Sequence, residues 1–209
     1  AGVLRQNTVI LHGTALTAPD LPRLAAARAS VVWCPETDRR LYGAAAPVRA
    51  LIAAGVRVGL GSASAAAGSR DFLSTLAAAR REGVLTDDAL LVMAAQGSGE
   101  VARLPVGALV AGTPADFVAT DDPARLLAGD RAAVLLVVRA GKPLCGARDY
   151  MAQGGVRGET IVVDGVARTL DASLHRRLRT ILRDHAPAAR ASWLAGLELP
   201  GVAARSDAV

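Results

Sequence analysis

The sequence predicts an α/β fold, and three observations predict it. Short apolar runs of strand length alternate with segments of helical spacing through the first half. Glycines stand where the intervening helices should stop. After Pro105 the pattern changes to β-branched runs separated by Gly, Pro and Asp turns, and then to an amphipathic helix. In order, Thr8–His12 is a short apolar strand closed by Gly13, and Pro19–Ala29 follows with helical spacing. Ser30–Cys34 is a second strand stopped by Pro35, with Pro47–Ala54 as its helix. Arg57–Gly61 is the third, followed by a helix over Ser69–Glu82. Gly55 and Gly83 mark two helix ends. Near-continuous apolar strands separated by helices imply a parallel sheet covered on both faces.

Two further helices are expected over Thr86–Gln96, with Thr86 as N-cap, and over Ser98–Leu104. Asp116–Thr120, Ala132–Arg139 and Thr160–Val163 read as strands. Asp171–Arg183 reads as a helix with Leu174, Leu178, Ile181 and Leu182 along one side, and the residues beyond Pro200 as a frayed tail.

At 209 residues, with 52% hydrophobic and 21% charged, the chain can bury a sizeable core. Aromatics are only 3%, so that core is built from Ala, Val and Leu. The net charge of +5 and isoelectric point near 10.2 raise the question of nucleic acid. The arginines are scattered along helix faces without interleaved aromatics or a recognition motif, which points away from a nucleic-acid partner. Cys34 and Cys145 lie far apart without C-x-x-C spacing and read as reduced thiols of a cytoplasmic protein. No apolar run reaches the ~18 residues of a membrane span, and no signal peptide is evident. The chain lacks an initiating methionine and enters a strand pattern at Thr8. That start suggests a processed product, a trimmed chain or a fragment.

Four segments, taken together, resemble a known family. I-L-H-G-T-A-L (10–16), W-C-P-E-T-D (33–38), A-A-P-V-R-A-L-I-A-A-G-V-R-V-G-L-G-S-A-S (45–64) and G-A-L-V-A-G-T-P-A-D-F-V-A-T-D (107–121) occur in this order. They are similar to the carboxyl-terminal half of the amidohydrolase superfamily, in its cytosine deaminase, guanine deaminase and chlorohydrolase branch. The resemblance implies a partial (β/α)8 TIM barrel, strands six to eight, with an appended small β domain and a C-terminal helix. The implied division is residues 1–105 for the barrel part, 106–170 for the β domain segment and 171–209 for a helical tail. Intact family members bind one or two divalent metals, zinc or iron, at the carboxyl-terminal mouth. There a metal-activated water attacks a C–N or C–Cl carbon.

On this alignment His12 matches the histidine after the sixth strand, which helps polarise substrate or water. Cys34-Pro35-Glu36-Thr37-Asp38 stands where the family has C-P-x-S-N. Ser62-Ala63-Ser64 stands where it has T-D-S, so Ala63 occupies the position of the eighth-strand metal aspartate. The expected pocket is His12 as the candidate catalytic residue with Cys34, Glu36, Asp38, Ser62 and Ser64 around it, and no metal ligand set. The sequence contains three histidines, and His175 and His185, ten apart, lack the i, i+4 spacing of paired helix ligands. No cofactor is expected for this chain itself. If active, its substrate would be a small heterocycle.

Each of these residues also has a plainer reading. His12 can be a relic held by a backbone hydrogen bond at a strand end. Cys34 needs a base and an electropositive setting to be a nucleophile, and Ser62 and Ser64 lack a nucleophile elbow. Asp116 belongs to a recurrent turn, Gly154–Gly158 lacks the helix and Lys-Ser/Thr of a phosphate loop, and Arg176, Arg177, Arg179 and Arg183 form a solvated helix face. Two classes of function follow. One is a metal-dependent hydrolase or deaminase of carbon–nitrogen bonds, inactive as this isolated chain. The other is a non-catalytic binding or structural protein of the same ancestry. Three strands of an eight-stranded barrel expose edges and apolar faces, so self-association or a complementary chain is expected.

Overall fold

Val9–Leu11 (β1), Ser30–Trp33 (β2) and Arg57–Leu60 (β3) form a three-stranded parallel sheet in the order β1-β2-β3. The register pairs Val9 with Ser30 and Val31 with Val58. Each strand lies beside its predecessor, as in a singly wound barrel wall; a doubly wound sheet would reverse its order partway. In this computed structural model, residues 3–64, 66–191 and 194–200 are described, and side chains within 184–191 are not. Two compact units are present: residues 1–113 with 127–129, and residues 114–126 with 130–209.

In the first unit, α1 (Leu21–Ala26) connects β1 to β2. The helices α2 (Pro35–Tyr42) and α3 (Val48–Ala53) connect β2 to β3, and α4 (Phe72–Arg81) follows β3. The core gathers Leu24, Val31, Trp33, Val48, Leu51 and Leu76, all nearly or fully buried. Ala77, Ala78 and Ala79 let α4 pack closely, so a core with few aromatics is still filled. Asp71 caps α4 by accepting from Ser74 N at 2.7 Å. Next come α5 (Asp87–Val92), capped by Thr86, and α6 (Ser98–Ala102), joined by a π-helical turn over Met93–Gly97. The two expected helices are therefore one interrupted run.

The reason for that interruption is steric. A Cβ on Gly97 would lie 2.8 Å from Val58 O, and one on Gly59 would lie 3.1 Å from Ser98 Cα. Two glycines let the turn sit on β3, and Ser98 Oγ accepts from Leu60 N at 3.1 Å. That N–H points away from β2, because the odd-numbered Gly61 N bonds Trp33 O. Ser98 thereby satisfies part of the β3 edge.

The second unit is a six-stranded sheet in the order β4-β5-β6-β8-β7-β9, every pair antiparallel. Its strands are β4 (Phe117–Thr120), β5 (Val134–Arg139), β6 (Lys142–Gly146), β7 (Gly158–Val163), β8 (Val166–Asp171) and β9 (Leu197–Glu198). Between them lie α7 (Pro123–Leu127) and α8 (Arg148–Gln153), and α9 (Ala172–Ala191) follows β8. Leu174, Leu178 and Leu182 on α9 pack with Ile161 and Leu170 of the sheet.

Several expectations differ in detail. The strand expected from Ala132 begins at Val134, because Asp130 accepts from Ala132 N and closes a 3₁₀ turn over Arg131–Ala133. Ile181 is 43% exposed, one residue and so about 100° around the helix from the buried Leu182. The strands β6, β8 and β9 and the helices α2, α7 and α8 add to those the sequence pattern predicts. Among the described residues no helix is long and apolar enough to cross a membrane.

Candidate functional site

The parallel sheet delivers three loop starts to one end: His12 after β1, Cys34 after β2 and Ser62 after β3. Two of these strands end in a rare form of tight turn. His12 has φ 70°, and Gly13 N donates back to Leu11 O at 2.9 Å; Ala63 has φ 55°, and Ser64 N donates to Ser62 O at 2.7 Å. A three-residue turn with a positive φ at its centre is strained for an L-residue and survives only where its surroundings hold it. Around His12 those surroundings are visible. Its N–H is bonded to Val32 O at 2.9 Å, and a Cβ on the following Gly13 would be 3.0 Å from Leu16 Cδ1.

The imidazole is clamped as well. His12 Nδ1 lies 2.7 Å from Asp38 Oδ1, and the ring of Tyr42 meets it edge-on at 5.3 Å between centroids. Asp38 and Tyr42 are i and i+4 on α2, so one helix face carries both. Asp38 is fully buried, its Oδ2 has no hydrogen-bond partner among the described residues, and the His12 side chain keeps 19% exposure. Burial raises the Asp38 carboxyl above the ordinary aspartate range, while the hydrogen bond from His12 opposes that rise.

Cys34 is buried and donates to Val32 O at 3.8 Å. Burial first, and the neighbouring Asp38 charge second, push its thiol up to about 11. A thiol so placed stays protonated near neutral pH and is a poor nucleophile and metal ligand.

Thr37, buried on α2, donates through Oγ1 to Ser62 O at 3.0 Å and anchors the loop after β3. A Cβ on Gly68 would lie 2.3 Å from that same Oγ1. Glu36 does not join His12; its Oε2 accepts from Ser69 Oγ at 2.6 Å. It lies on the α2 face that also carries Arg39, which forms a bidentate pair with Glu82 at 2.8 and 2.6 Å. Ser64 is likewise occupied with its own loop, accepting from Ala66 N at 3.2 Å. Of the residues singled out from sequence, the structure brings together His12, Cys34 and Asp38, with Ser62 and Ala63 beside them. Thr37 and Tyr42 gain their roles from α2, which the sequence does not signal by periodicity, and Ser69 from its hydrogen bond to Glu36 across 33 residues, which no local pattern announces.

The remaining candidates are structural. Asp116 Oδ1 accepts from Ala140 N at 2.5 Å and ties β4 to the β5–β6 turn. Gly154 ends α8, Gly155 turns with φ 67°, and Gly158 opens β7. Arg176, Arg177, Arg179 and Arg183 are exposed and His175 is buried in the second unit. The side chain of His185 lies outside the described residues.

Three parallel strands in sequence order, with a His–carboxylate pair at their carboxyl ends, are what part of a (β/α) barrel wall carries. Residues 1–161 match the Amidohydrolase family, and the chain belongs to that family. Over 128 residues it is 34% identical to a 5-methylthioadenosine/S-adenosylhomocysteine deaminase of Haloquadratum walsbyi, covering 57% of this chain and 29% of that protein. An adenosine deaminase from Xanthomonas campestris with bound zinc superposes with a TM-score of 0.62 at 26% identity, covering 68% of this chain and 38% of that one. An atrazine chlorohydrolase from Arthrobacter aurescens, complexed with zinc, gives 0.56 at 28% identity over 68% of this chain and 37% of that one. The chain thus spans less than half the length of each, and its first unit is part of a TIM-barrel architecture.

The residues present do not fit the zinc that such relatives hold. His12, with Nδ1 on Asp38, could offer Nε2 as a single donor, but Cys34 is kept as a thiol and position 63 offers a methyl group, so the further ligands an ion needs are lacking among these residues. Among the described residues no group of three or more His, Cys, Asp or Glu side chains is arranged to hold an ion.

Proposed function

We propose that this chain is a portion of a hydrolase or deaminase acting on the carbon–nitrogen bond of an aminated heterocycle, and that by itself it does not turn over. What supports this reading is the His12–Asp38 pair at the strand ends, together with Ala63 in the loop after β3, which we read as standing where the family places a carboxylate. The deaminase relatives support the substrate class. The poor fit to a metal supports the inactivity of the isolated chain. On this reading the catalytic water would lack its acceptor at position 63, and loss of a general base costs ~10²–10⁴-fold.

The test supplies the first five βα units of a related amidohydrolase, then measures ammonia release from a panel of aminated heterocycles together with metal content. With Ala63 in place we expect no turnover, and for the chain alone less than about one-tenth equivalent of zinc or iron. With Ala63→Asp, metal occupancy and turnover should rise together. Full activity with Ala63 would overturn the assignment of this position.

A second reading, a non-catalytic binding or structural protein completed by another chain, is favoured by one feature. Val9 and Leu11 of β1 are 42% and 57% exposed at a sheet edge. Persistent inactivity of the Ala63→Asp complex, with stable association, would select it.

A further inference from the structure

Asp38 is buried completely, yet only one of its oxygens is used, and that oxygen meets His12 Nδ1 at 2.7 Å. A carboxylate can only accept a hydrogen bond, so a neutral imidazole paired with it carries its proton on Nδ1. Nε2 then holds a bare lone pair. No other protein group among the described residues bonds Nε2, and the ring is fixed by Tyr42 at its side and by the strained turn beneath it. The helix α2 supplies both Asp38 and Tyr42, so one element sets the tautomer and the orientation of the ring. This is how a partner on one ring nitrogen decides what the other can do.

We propose that Asp38 is the positioning residue for His12, fixing its neutral form as the Nδ1–H tautomer so that Nε2 is presented at the strand ends as an acceptor. The inference rests on the reading of these strand ends as a hydrolase pocket, and it deepens that reading by naming what the site accepts. A bare Nε2 pairs with an N–H or O–H: the exocyclic amine of a heterocycle, or a water surrendering its proton. It does not pair with a carbonyl oxygen. The alternative arrangement, a proton on Asp38 Oδ1 donated to Nδ1, would turn Nε2–H into a donor and reverse that preference.

Nitrogen-15 NMR of the histidine-labelled chain at pH 9 tests this, with His12→Gln for assignment among the three histidines. Cys34, pushed up to about 11, is still a thiol at that pH. We expect a protonated, pyrrole-type Nδ1 and a bare, pyridine-type Nε2 for His12. Asp38→Asn, the isosteric change, should abolish that fixed pattern and leave exchange between tautomers. Uniform labelling should show the amide signals of β2 and β3 unmoved, which reports an intact first unit, and those of His175 unmoved in the second. A protonated Nε2 in the unsubstituted chain would overturn the proposal. So would an unchanged His12 pattern in Asp38→Asn. The measurement needs no turnover, so an inactive reconstituted complex with the expected tautomer would count against the hydrolase reading alone.

Discussion

At Cys34 the chemistry turns on burial rather than on sequence context. The residue sits in a strand-end C-P motif beside a histidine, a setting that invites a nucleophile. Its thiol is nevertheless driven up to about 11, chiefly by burial and further by the Asp38 carboxylate. In the unfolded chain a cysteine ionises near 8.5. The folded value is the higher one, so the fold favours the protonated form. This contribution to stability is complete below about pH 8.5 and is lost as pH rises towards 11. Alkylation by iodoacetamide at pH 8 should therefore be at least tenfold slower for native Cys34 than for the denatured chain; equal rates would show an accessible thiolate. His12 and Cys34 were legible in the sequence because strand ends are marked by Gly13 and Pro35. Asp38 falls in the same expected pocket, but its pairing with His12 was not legible, since a motif gives proximity and not which oxygen meets which nitrogen. Ala63 was legible only as a departure from the T-D-S pattern; its φ of 55° was not. Asp and Asn tolerate that conformation better than Ala, so Ala63→Asp asks nothing new of the backbone.

Elements were readable wherever apolar periodicity was strong, as in β2, β3, α4 and the Leu174–Leu178–Leu182 face of α9. They failed where an element is held by its ends. The helix α2 has little apolar periodicity, and both Leu41 and Tyr42 are exposed. Its signals were Pro35 at the first position and Gly43, φ 64°, past the last. The pairs Ala140–Gly141 and Asp164–Gly165, all with positive φ, join β5 to β6 and β7 to β8 as tight hairpins. Asp-Gly is a signal that could have revealed β8. Two predictions belong at this scale. Gly97→Ala puts a methyl 2.8 Å from Val58 O, a backbone atom that cannot swing aside, so the π turn must lift off β3. We expect a loss of ~1–3 kcal/mol in denaturant unfolding, and a change below ~0.5 kcal/mol would refute the close approach. At the start of α9, Asp171 accepts from the Ser173 hydroxyl, from Lys142 at 3.1 Å and from Ser173 N at 3.0 Å, holding its carboxyl down at about 2. A lowered folded value stabilises above the unfolded pKa, near 3.9, and that contribution disappears as pH falls from about 4 to about 2. Asp171→Asn should flatten the acid limb of the stability profile; an unchanged limb would remove Asp171 from the account.

At the scale of the whole molecule, the two sides of the parallel sheet differ. On the β3 side Ser98 takes up the outward N–H of Leu60. On the β1 side, Val9 and Leu11 are 42% and 57% exposed, and their N–H groups point away from β2, since the even-numbered His12 N bonds Val32 O. An apolar strand whose outward donors have no partner among the described residues is a template for another strand. The three-residue length of β1 limits how much a partner gains there, so the association should be specific in place but moderate in strength. We predict that the chain self-associates at micromolar concentration or binds a chain bearing the neighbouring βα units, with β1 at the contact. Leu11→Lys places a charge on the exposed face and should weaken that association by at least ~10-fold, about 1.4 kcal/mol, with little effect on the core, because Leu11 is 57% exposed and lies outside the core cluster. Val118→Lys, on β4 of the second unit and 50% exposed, is the matched control and should leave association unchanged. Sedimentation velocity across a concentration series separates the outcomes. A monomer throughout, with no binding of the complementary units, would mean that the β1 edge is tolerated bare; equal weakening by both substitutions would move the contact away from β1.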